Sequence, residues 1–223
     1  MVMVLLLIAA ATEMEMAPIR QRLDADQGIA FLVTGVGMVE TTLTLCRRLS
    51  QAGETIRGVV NLGVAGAYVD TGVELLDLCL AKREIIGDLG VSEGERIVPF
   101  TDQAIRSPAD FSLQNPLRAR AAAILTEKKI AHHAGVFVTV NAVSGSTSRG
   151  LFFRDQHLAI CENMEGAAIA RTCVAYGIDC LELRSVSNMV ENRDPARWRL
   201  AEAVDVCTDA AAQMIPSLLD TCS

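Results

Sequence analysis

Aromatic residues make up only 4% of this 223-residue chain and charged residues only 21%. A chain so poor in rings is no base-stacking platform, and its apolar mass of Ala, Val, Leu and Ile suits close-packed strands and helices. Basic residues are also short: Lys+Arg 20 against Asp+Glu 27 gives a net charge of −7, with no dense Lys/Arg run. A polyanion partner such as nucleic acid is therefore excluded as an expectation. The three histidines, His132, His133 and His157, form no H-E-x-x-H pattern, and the seven cysteines are an odd, scattered set without a C-x-x-C pair. Neither a disulfide framework nor a zinc site follows from that spacing, no cofactor or metal is expected, and a reducing cytoplasm is the natural setting. No apolar run is long enough for a membrane span. The first eleven residues, Met1 to Ala11, are apolar but lack a positive leader, and a buried first strand explains them better.

What is abundant is aliphatic residue. Hydrophobic content is 51% and mean hydropathy is +0.31, which excludes intrinsic disorder. A chain this apolar and this weakly charged is expected to hide part of its surface in a homo-oligomer, with a dimer as the first expectation. Runs rich in Val, Ile and Leu at about 2–10, 29–34, 56–62, 73–86, 136–140, 158–161 and 178–186 read as strands. They alternate with helix-period stretches at 38–51, 116–129, 165–176 and 195–219. The last of these has Asp194 as N-cap, Pro195 at the first helical position, and an apolar stripe beginning at Trp198. This alternation predicts an α/β domain on a mostly parallel sheet, with residues 1–223 as one domain. The Gly-, Ser-, Asp- and Pro-rich stretch 87–114 is the longest irregular segment and a candidate lid.

In such sheets ligands bind beyond the strand ends, and those ends carry the unusual residues here. The first strand runs into Thr12-Glu13-Met14-Glu15, the second into Thr34-Gly35-Val36-Gly37, and the third into Asn61-Leu62-Gly63-Val64-Ala65-Gly66-Ala67. Small residues such as Ala65 and Gly66 let backbone approach a ligand. In the last strand, Leu181 to Asn188, a period of two puts Glu182, Arg184, Val186 and Asn188 on one face. A buried Arg184 needs a partner, and Glu182 offers a structural pair. The Gly35-x-Gly37 turn lacks the rest of a dinucleotide fingerprint and reads as an ordinary strand-to-helix turn. Glu13 and Glu15 taken alone read as solvated first-turn acids, and His132-His133 as surface residues. Asn163-Met164-Glu165-Gly166-Ala167-Ala168 carries more: Glu165 opens a helix, where the dipole favours an ionised carboxylate able to accept sugar hydroxyls, with Met164 as apolar cover.

Asn163-Met164-Glu165-Gly166-Ala167-Ala168-Ile169-Ala170 followed by Arg184-Ser185-Val186-Ser187-Asn188 resembles the nucleoside phosphorylase/nucleosidase superfamily. In its methylthioadenosine/S-adenosylhomocysteine nucleosidase branch the same segments read like E-M-E-A-x-A-I-A and R-A-I-S-D. Gly63-Val64-Ala65-Gly66 is similar to that branch's glycine-rich strand end, and Glu15 falls where its water-binding glutamate lies. The resemblance is colinear over nearly the whole chain. It implies a single α/β domain with a central mixed, partly closed sheet flanked by helices, often a homodimer. It also implies cleavage of a ribosyl N-glycosidic bond through an oxocarbenium-like transition state. Glu15 would activate water, Arg184 orient the water or the carboxylates, Glu165 bind ribose hydroxyls and Met164 pack on the ribose. Asn163, Ala65, Gly66, Val143 and Phe152 complete the expected substrate contacts.

One departure bears on the substrate. The adenine-specific branch has Asp where this chain has Asn188. A neutral amide delivers no proton to N7, but its NH₂ can donate to a 6-oxo group while its carbonyl accepts N7–H, which suits hypoxanthine or guanine. The ending from Arg184 to Asn188, then Arg193-Asp194 and Trp198, resembles that of family hydrolases acting on a hypoxanthine nucleoside with a benzoate-bearing 5′ chain. Arg149 or Arg154 would meet the benzoate, and Phe152, Phe153 or Tyr68 are the few rings available as cover. Glu13 and Glu15 near the first strand end, with no Arg before Arg20, favour water over phosphate as nucleophile. Three alternatives stay open at this point: an adenine-nucleoside hydrolase tolerating Asn188, a 6-oxopurine phosphorylase, and a catalytically idle nucleoside-binding protein.

Overall fold

The computed structural model describes residues 3–23, 28–51, 54–102, 104–105 and 107–219. Val2 of the expected first strand and Cys222 lie outside them. The first strand, β1 (Met3–Ala10), is apolar in sequence, and Leu5 to Ala10 are buried with both faces covered. Leu6 and Ile8 point into one core, Leu7 and Ala9 into the other. It runs parallel to β2 (Ile29–Val33) on one edge and to β3 (Glu54–Tyr68) on the other.

The 15-residue β3 is the spine of the sheet. Its first half pairs with β1, its end pairs antiparallel with β9 (Ala159–Asn163), and from Gly58 to Tyr68 it runs beside β10 (Asp179–Val190). Two further strands, β4 (Leu78–Ile86) and β8 (His133–Thr139), join β10 to β9. The order β10-β4-β8-β9-β3, with β3 returning to β10, closes a ring, while β1 and β2 extend from it as an open wing. This is the mixed, partly closed sheet that the resemblance implies.

Helices flank it on both sides. α1 (Glu13–Arg22), α3 (Pro116–Glu127) and α6 (Leu200–Leu219) pack on the core holding Leu6, Ile8, Met16, Ile124 and Met214. α2 (Met38–Leu49) and α5 (Gly166–Tyr176) cover the core of Leu7, Leu45, Phe137 and Ile169. α4 (Thr147–His157) covers a smaller cluster of Tyr68, Val138 and Phe153.

Four differences from the sequence expectations have clear causes. α4 is too short and too weakly patterned to be read as a helix from its apolar period. Its start is set by Ser146, whose side chain accepts the Arg149 backbone N–H. The last helix begins at Leu200, not at Pro195. Asp194 and Pro195 cap only a 3₁₀ turn over Pro195–Arg197, where Asp194 accepts the Ala196 N–H, so Trp198 lies in the connection before α6. The run expected as a strand from Val73 begins at Leu78, after residues that turn through Leu76 at positive φ. The irregular stretch contains a small hairpin, β5 (Val91–Glu93) with β6 (Arg96–Val98), and a short strand, β7 (Asp110–Ser112), added to the edge of β4. Among the described residues no helix is long and apolar enough to cross a membrane.

Candidate active site

β1 stops at Ala10 while β3 and β10 continue past it, and this leaves a cavity of about 330 Å³ above the end of β1. Its walls come from seven places: the start of α1, the β2–α2 turn at Val36, the second half of β3, the β8–α4 loop at Val143 and Ser144, the β9–α5 turn, the second half of β10, and the stretch from Trp198 to Leu200.

Glu15 enters as the N3 residue of a capping box. Thr12 offers its backbone N–H and its hydroxyl to Glu15 Oε2 at 3.0 and 2.7 Å, and the Thr12 hydroxyl oxygen accepts the Glu15 backbone N–H. Glu15 Oε1 accepts the Val64 N–H from β3 at 3.2 Å. The carboxylate is therefore pinned by three donors and is only 5% exposed, so it is not the solvated helix acid that the first turn alone suggests. The Thr12-x-x-Glu15 spacing carried the signal for this cap in the sequence.

Arg184 is 3% exposed and sits among carboxylates. Its Nε donates to Glu182 Oε1 at 2.7 Å, Nη2 to Glu165 Oε2 at 3.3 Å, and Nη1 to the Val64 carbonyl at 3.0 Å. Burial pushes the guanidinium toward losing its proton, but the fields of Glu182, Glu165 and Glu15 outweigh it and raise its pKa. Glu182 and Arg184 are thus an ion pair, and one that faces the cavity's carboxylates. Gly63 lies against this cluster: a Cβ there would come within 2.6 Å of Glu15 Oε1 and 3.1 Å of Arg184 Nη1. Only hydrogen fits between them.

Glu165 occupies the N-cap position of α5 but does not cap it. That task falls to Asn163, whose Oδ1 accepts the N–H groups of Glu165 and Gly166 at 2.9 and 2.7 Å. Glu165 is freed to reach across and accept the Gly37 N–H at 3.0 Å with Oε1. The Gly35-x-Gly37 turn therefore does more than reverse the chain. Asn163 lines the cavity, yet both polar ends of its side chain are engaged inside the protein, Nδ2 donating to Glu84 Oε1 at 2.6 Å. It serves as wall and scaffold.

Next to Glu182 lies a fully buried carboxyl, Glu84, which the sequence did not single out because it stands in the charged run Lys82-Arg83-Glu84 with no spacing signal. Glu84 Oε2 takes the Thr139 hydroxyl at 2.7 Å, and its Oε1 converges with Glu182 Oε2 over Gly166. Burial, the charge of Glu182 and a shared hydrogen bond with it hold Glu84 well above the ordinary carboxyl range, which favours its protonated form.

β10 carries a bulge between Val186 and Asn188. The strict alternation expected for this strand therefore breaks: Val186 is in the core, whereas Ser187 and Asn188 both line the cavity. The Ser187 hydroxyl donates to Asn188 Oδ1 at 2.9 Å, which fixes the amide with Nδ2 lying beside Gly66. Met164, Ala65, Gly66 and Val143 are further lining residues, as are Thr12, Met14, Val36, Ser144, Glu162, Trp198 and Leu200, which the sequence did not single out for this role.

Several expected residues are elsewhere. Phe152 does not line the cavity; it packs beside Phe153 with ring centroids 5.3 Å apart, over the core under α4. Tyr68 is buried and its hydroxyl donates to Glu162 Oε2 at 3.2 Å. Arg149 lies over the Phe153 ring at 4.9 Å, and Arg154 bonds Asp155, Asp70 and the Val69 carbonyl. The direction of α4 takes Phe152, Arg149 and Arg154 away from the cavity. Trp198 supplies the ring instead, with Arg193 stacked on it at 5.2 Å. None of the described residues of 87–114 lines this cavity; part of that stretch lines a separate cleft of about 690 Å³ around Phe100 and Pro108.

The buried proton on Glu84 makes a stability prediction. An unfolded glutamate releases its proton near pH 4.5, while the folded chain retains it to a higher pH. Unfolding therefore releases a proton in that window, and the contribution of this site to stability falls as pH rises through it. Glu84→Gln, which keeps a neutral donor and acceptor there, is expected to flatten the dependence. Urea unfolding between about pH 5 and about pH 8 reads this as a midpoint that improves relative to the parent with rising pH. Parallel curves would remove the shared-proton assignment.

Comparison with known proteins agrees with this architecture. The family model described as the phosphorylase superfamily matches residues 19–221. Futalosine hydrolase of Thermus thermophilus is 32% identical over 195 residues, spanning 84% of this chain and 81% of that protein. Futalosine hydrolase of Streptomyces coelicolor is 34% identical over 161 residues, spanning 72% of this chain and 66% of the longer Streptomyces protein. The native structure of futalosine hydrolase of Helicobacter pylori superposes with a TM-score of 0.84 at 21% identity, covering 96% of this chain and 98% of that one. Matched along nearly its full length in both sequence and fold, the chain belongs to the phosphorylase superfamily and is an N-glycosidic hydrolase of the branch that holds futalosine hydrolases and methylthioadenosine/S-adenosylhomocysteine nucleosidases.

Proposed function

We propose that this enzyme hydrolyses the C1′–N9 bond of futalosine, releasing hypoxanthine and dehypoxanthine futalosine, a step of menaquinone biosynthesis. The observation that carries this reading is the position of Asn188: an amide, its oxygen held by Ser187, at the base end of a cavity whose other end is the Glu15–Arg184–Glu165 cluster. Two relatives above 30% identity bear the same activity in their names.

Glu15 is the general base. It takes a proton from the attacking water as the water oxygen bonds C1′, work usually worth about a hundred- to ten-thousand-fold in rate. The electron pair of the C1′–N9 bond leaves with the purine. Glu165 accepts ribose hydroxyls and, with Glu15, places negative charge beside the positive charge that develops on the sugar. Arg184 keeps the two carboxylates apart and oriented, and Met164 packs on the ribose. Asn188 donates from Nδ2 to the purine as negative charge moves into the ring. It has no proton to give, so the proton reaching N7 comes from solvent. The same carboxylates repel phosphate, which favours water as the nucleophile. A cytoplasmic setting fits the six free cysteines among the described residues. A second copy of the chain is the partner this reading carries, since Val39 and Leu43 of α2 are 69% and 57% exposed next to the cavity-lining Val36.

Chromatography of the base released from futalosine, inosine and methylthioadenosine, with and without phosphate, tests the reaction. Hypoxanthine from futalosine, at a rate indifferent to phosphate, is expected; adenine as the dominant product overturns the assignment. Asn188→Asp should shift the ratio of kcat/KM toward adenine nucleosides by tenfold or more, and an unchanged ratio would remove the role of this amide. Gly63→Ala, which wedges a methyl between Glu15 and Arg184, is expected to lower kcat on the order of a hundredfold while the far-UV spectrum stays that of the parent. Full activity in that variant would show that the spacing of the two groups is not critical.

A further inference from the structure

Beside Asn188, the base end of the cavity holds a second polar group to which no role has yet been given. Glu162, the residue opposite Gly66 in the β3–β9 ladder, is 4% exposed and lines the same cavity. Gly66 separates the two: a Cβ built there would be 3.1 Å from Asn188 Nδ2 and 3.6 Å from Glu162 Cγ. A carboxylate and an amide thus flank one bare stretch of backbone, with no side chain between them.

The hydrogen bonds of Glu162 define what it can offer. Oε1 accepts the Ser144 backbone N–H at 2.8 Å, and Oε2 takes the Ser144 hydroxyl at 2.7 Å and the Tyr68 hydroxyl at 3.2 Å. Three donors converge on it, and a carboxylate with about four lone-pair sites can accept one more bond. Burial pushes its pKa up, while Ser144, Tyr68 and the charge of Arg149 pull it back toward the ionised form.

On its outer edge a 6-oxopurine presents the O6 acceptor next to the N1–H donor. Adenine presents the reverse, an amino donor next to a bare N1 acceptor. An amide that donates beside a carboxylate that accepts matches the first pattern, and it sets the carboxylate against N1 of the second. We propose that Glu162 accepts N1–H of the substrate base and, together with Asn188, selects 6-oxopurine over 6-aminopurine nucleosides. This rests on the hypoxanthine-nucleoside reading above and gives it a second determinant.

The test compares futalosine with its N1-methyl derivative on the unaltered enzyme, and then on Glu162→Gln. Sites built on a buried hydrogen bond reject analogues that lack it by about 10⁴–10⁵-fold. At least a hundredfold loss of kcat/KM on N1 methylation is therefore expected for the parent. In Glu162→Gln one oxygen cannot serve both Ser144 and the base. The variant should lose activity on futalosine, and its preference for futalosine over aminodeoxyfutalosine should fall by tenfold or more. If that variant does not fold, the methylation result on the parent decides alone. Equal rates for futalosine and the N1-methyl compound overturn the role of Glu162 and leave the hydrolysis reading intact. Failure to cleave any 6-oxopurine nucleoside overturns both.

Discussion

The site is organised around one buried cation. Arg184 lies in the middle of a strand, 3% exposed, and an unpaired charge there would cost several kcal/mol. Three carboxylates from three different elements answer it: Glu15 from α1, Glu165 at the head of α5 and Glu182 from its own strand. Removing Arg184 would leave the buried carboxylates without a counter-charge, at a cost of about 3–5 kcal/mol for a broken buried pair. The elements that carry the carboxylates are therefore tied to one another through the guanidinium. The glycine at position 63 and the protonated Glu84 are accommodations to that arrangement, one steric and one electrostatic.

The charge balance of the cluster sets its chemistry. With Glu84 neutral, three carboxylates face one guanidinium, so the region is negative overall. That field suits a sugar carbon passing through a cationic state, and it opposes an incoming phosphate. The proposed general base is poised without being free. Glu15 is fixed by Thr12 and Val64 and has little reorganisation left to undergo when water is bound. Preorganisation of this kind comes from backbone donors of a helix start and a strand, which are the most rigid donors a fold can provide.

Topology then decides which residues meet. The closed ring from β10 through β4, β8 and β9 to β3 sets the Asn188 end of the cavity, proposed to hold the base, between β3, β9 and β10. The open wing sets the start of α1 over the Glu15–Arg184–Glu165 end, proposed to hold the ribose. The bulge in β10 is the small irregularity on which the base end depends. By inserting one residue it turns both Ser187 and Asn188 toward the cavity, where the hydroxyl can lock the amide in one orientation.

Much of this was legible in the residues. The aliphatic runs marked the central strands, because strands buried on both faces must be apolar along their length. The scarcity of charge made Glu15, Glu165, Arg184 and Asn188 conspicuous at strand ends. Asn188 stood out as a departure from a motif whose chemistry is known. Other parts were not legible, for physical reasons. Glu84 and Glu162 match no local spacing pattern, and their partners are 98 and 18 or more positions away in sequence, Glu182 for the one and Ser144 and Tyr68 for the other. Trp198 looked like part of a helical stripe because Asp194-Pro195 is a genuine start signal, but for a 3₁₀ turn rather than for α6. Phe152, Arg149 and Arg154 were named for their chemistry, and the direction of α4 took them to another face. Composition and motif determined the fold class and the cation-and-carboxylate chemistry, since these depend on which residues exist and on local period. Only the tertiary structure decided which polar groups share the cavity and which point away. That depends on ring closure, on one strand bulge and on the direction of one short helix, none of which a linear pattern records.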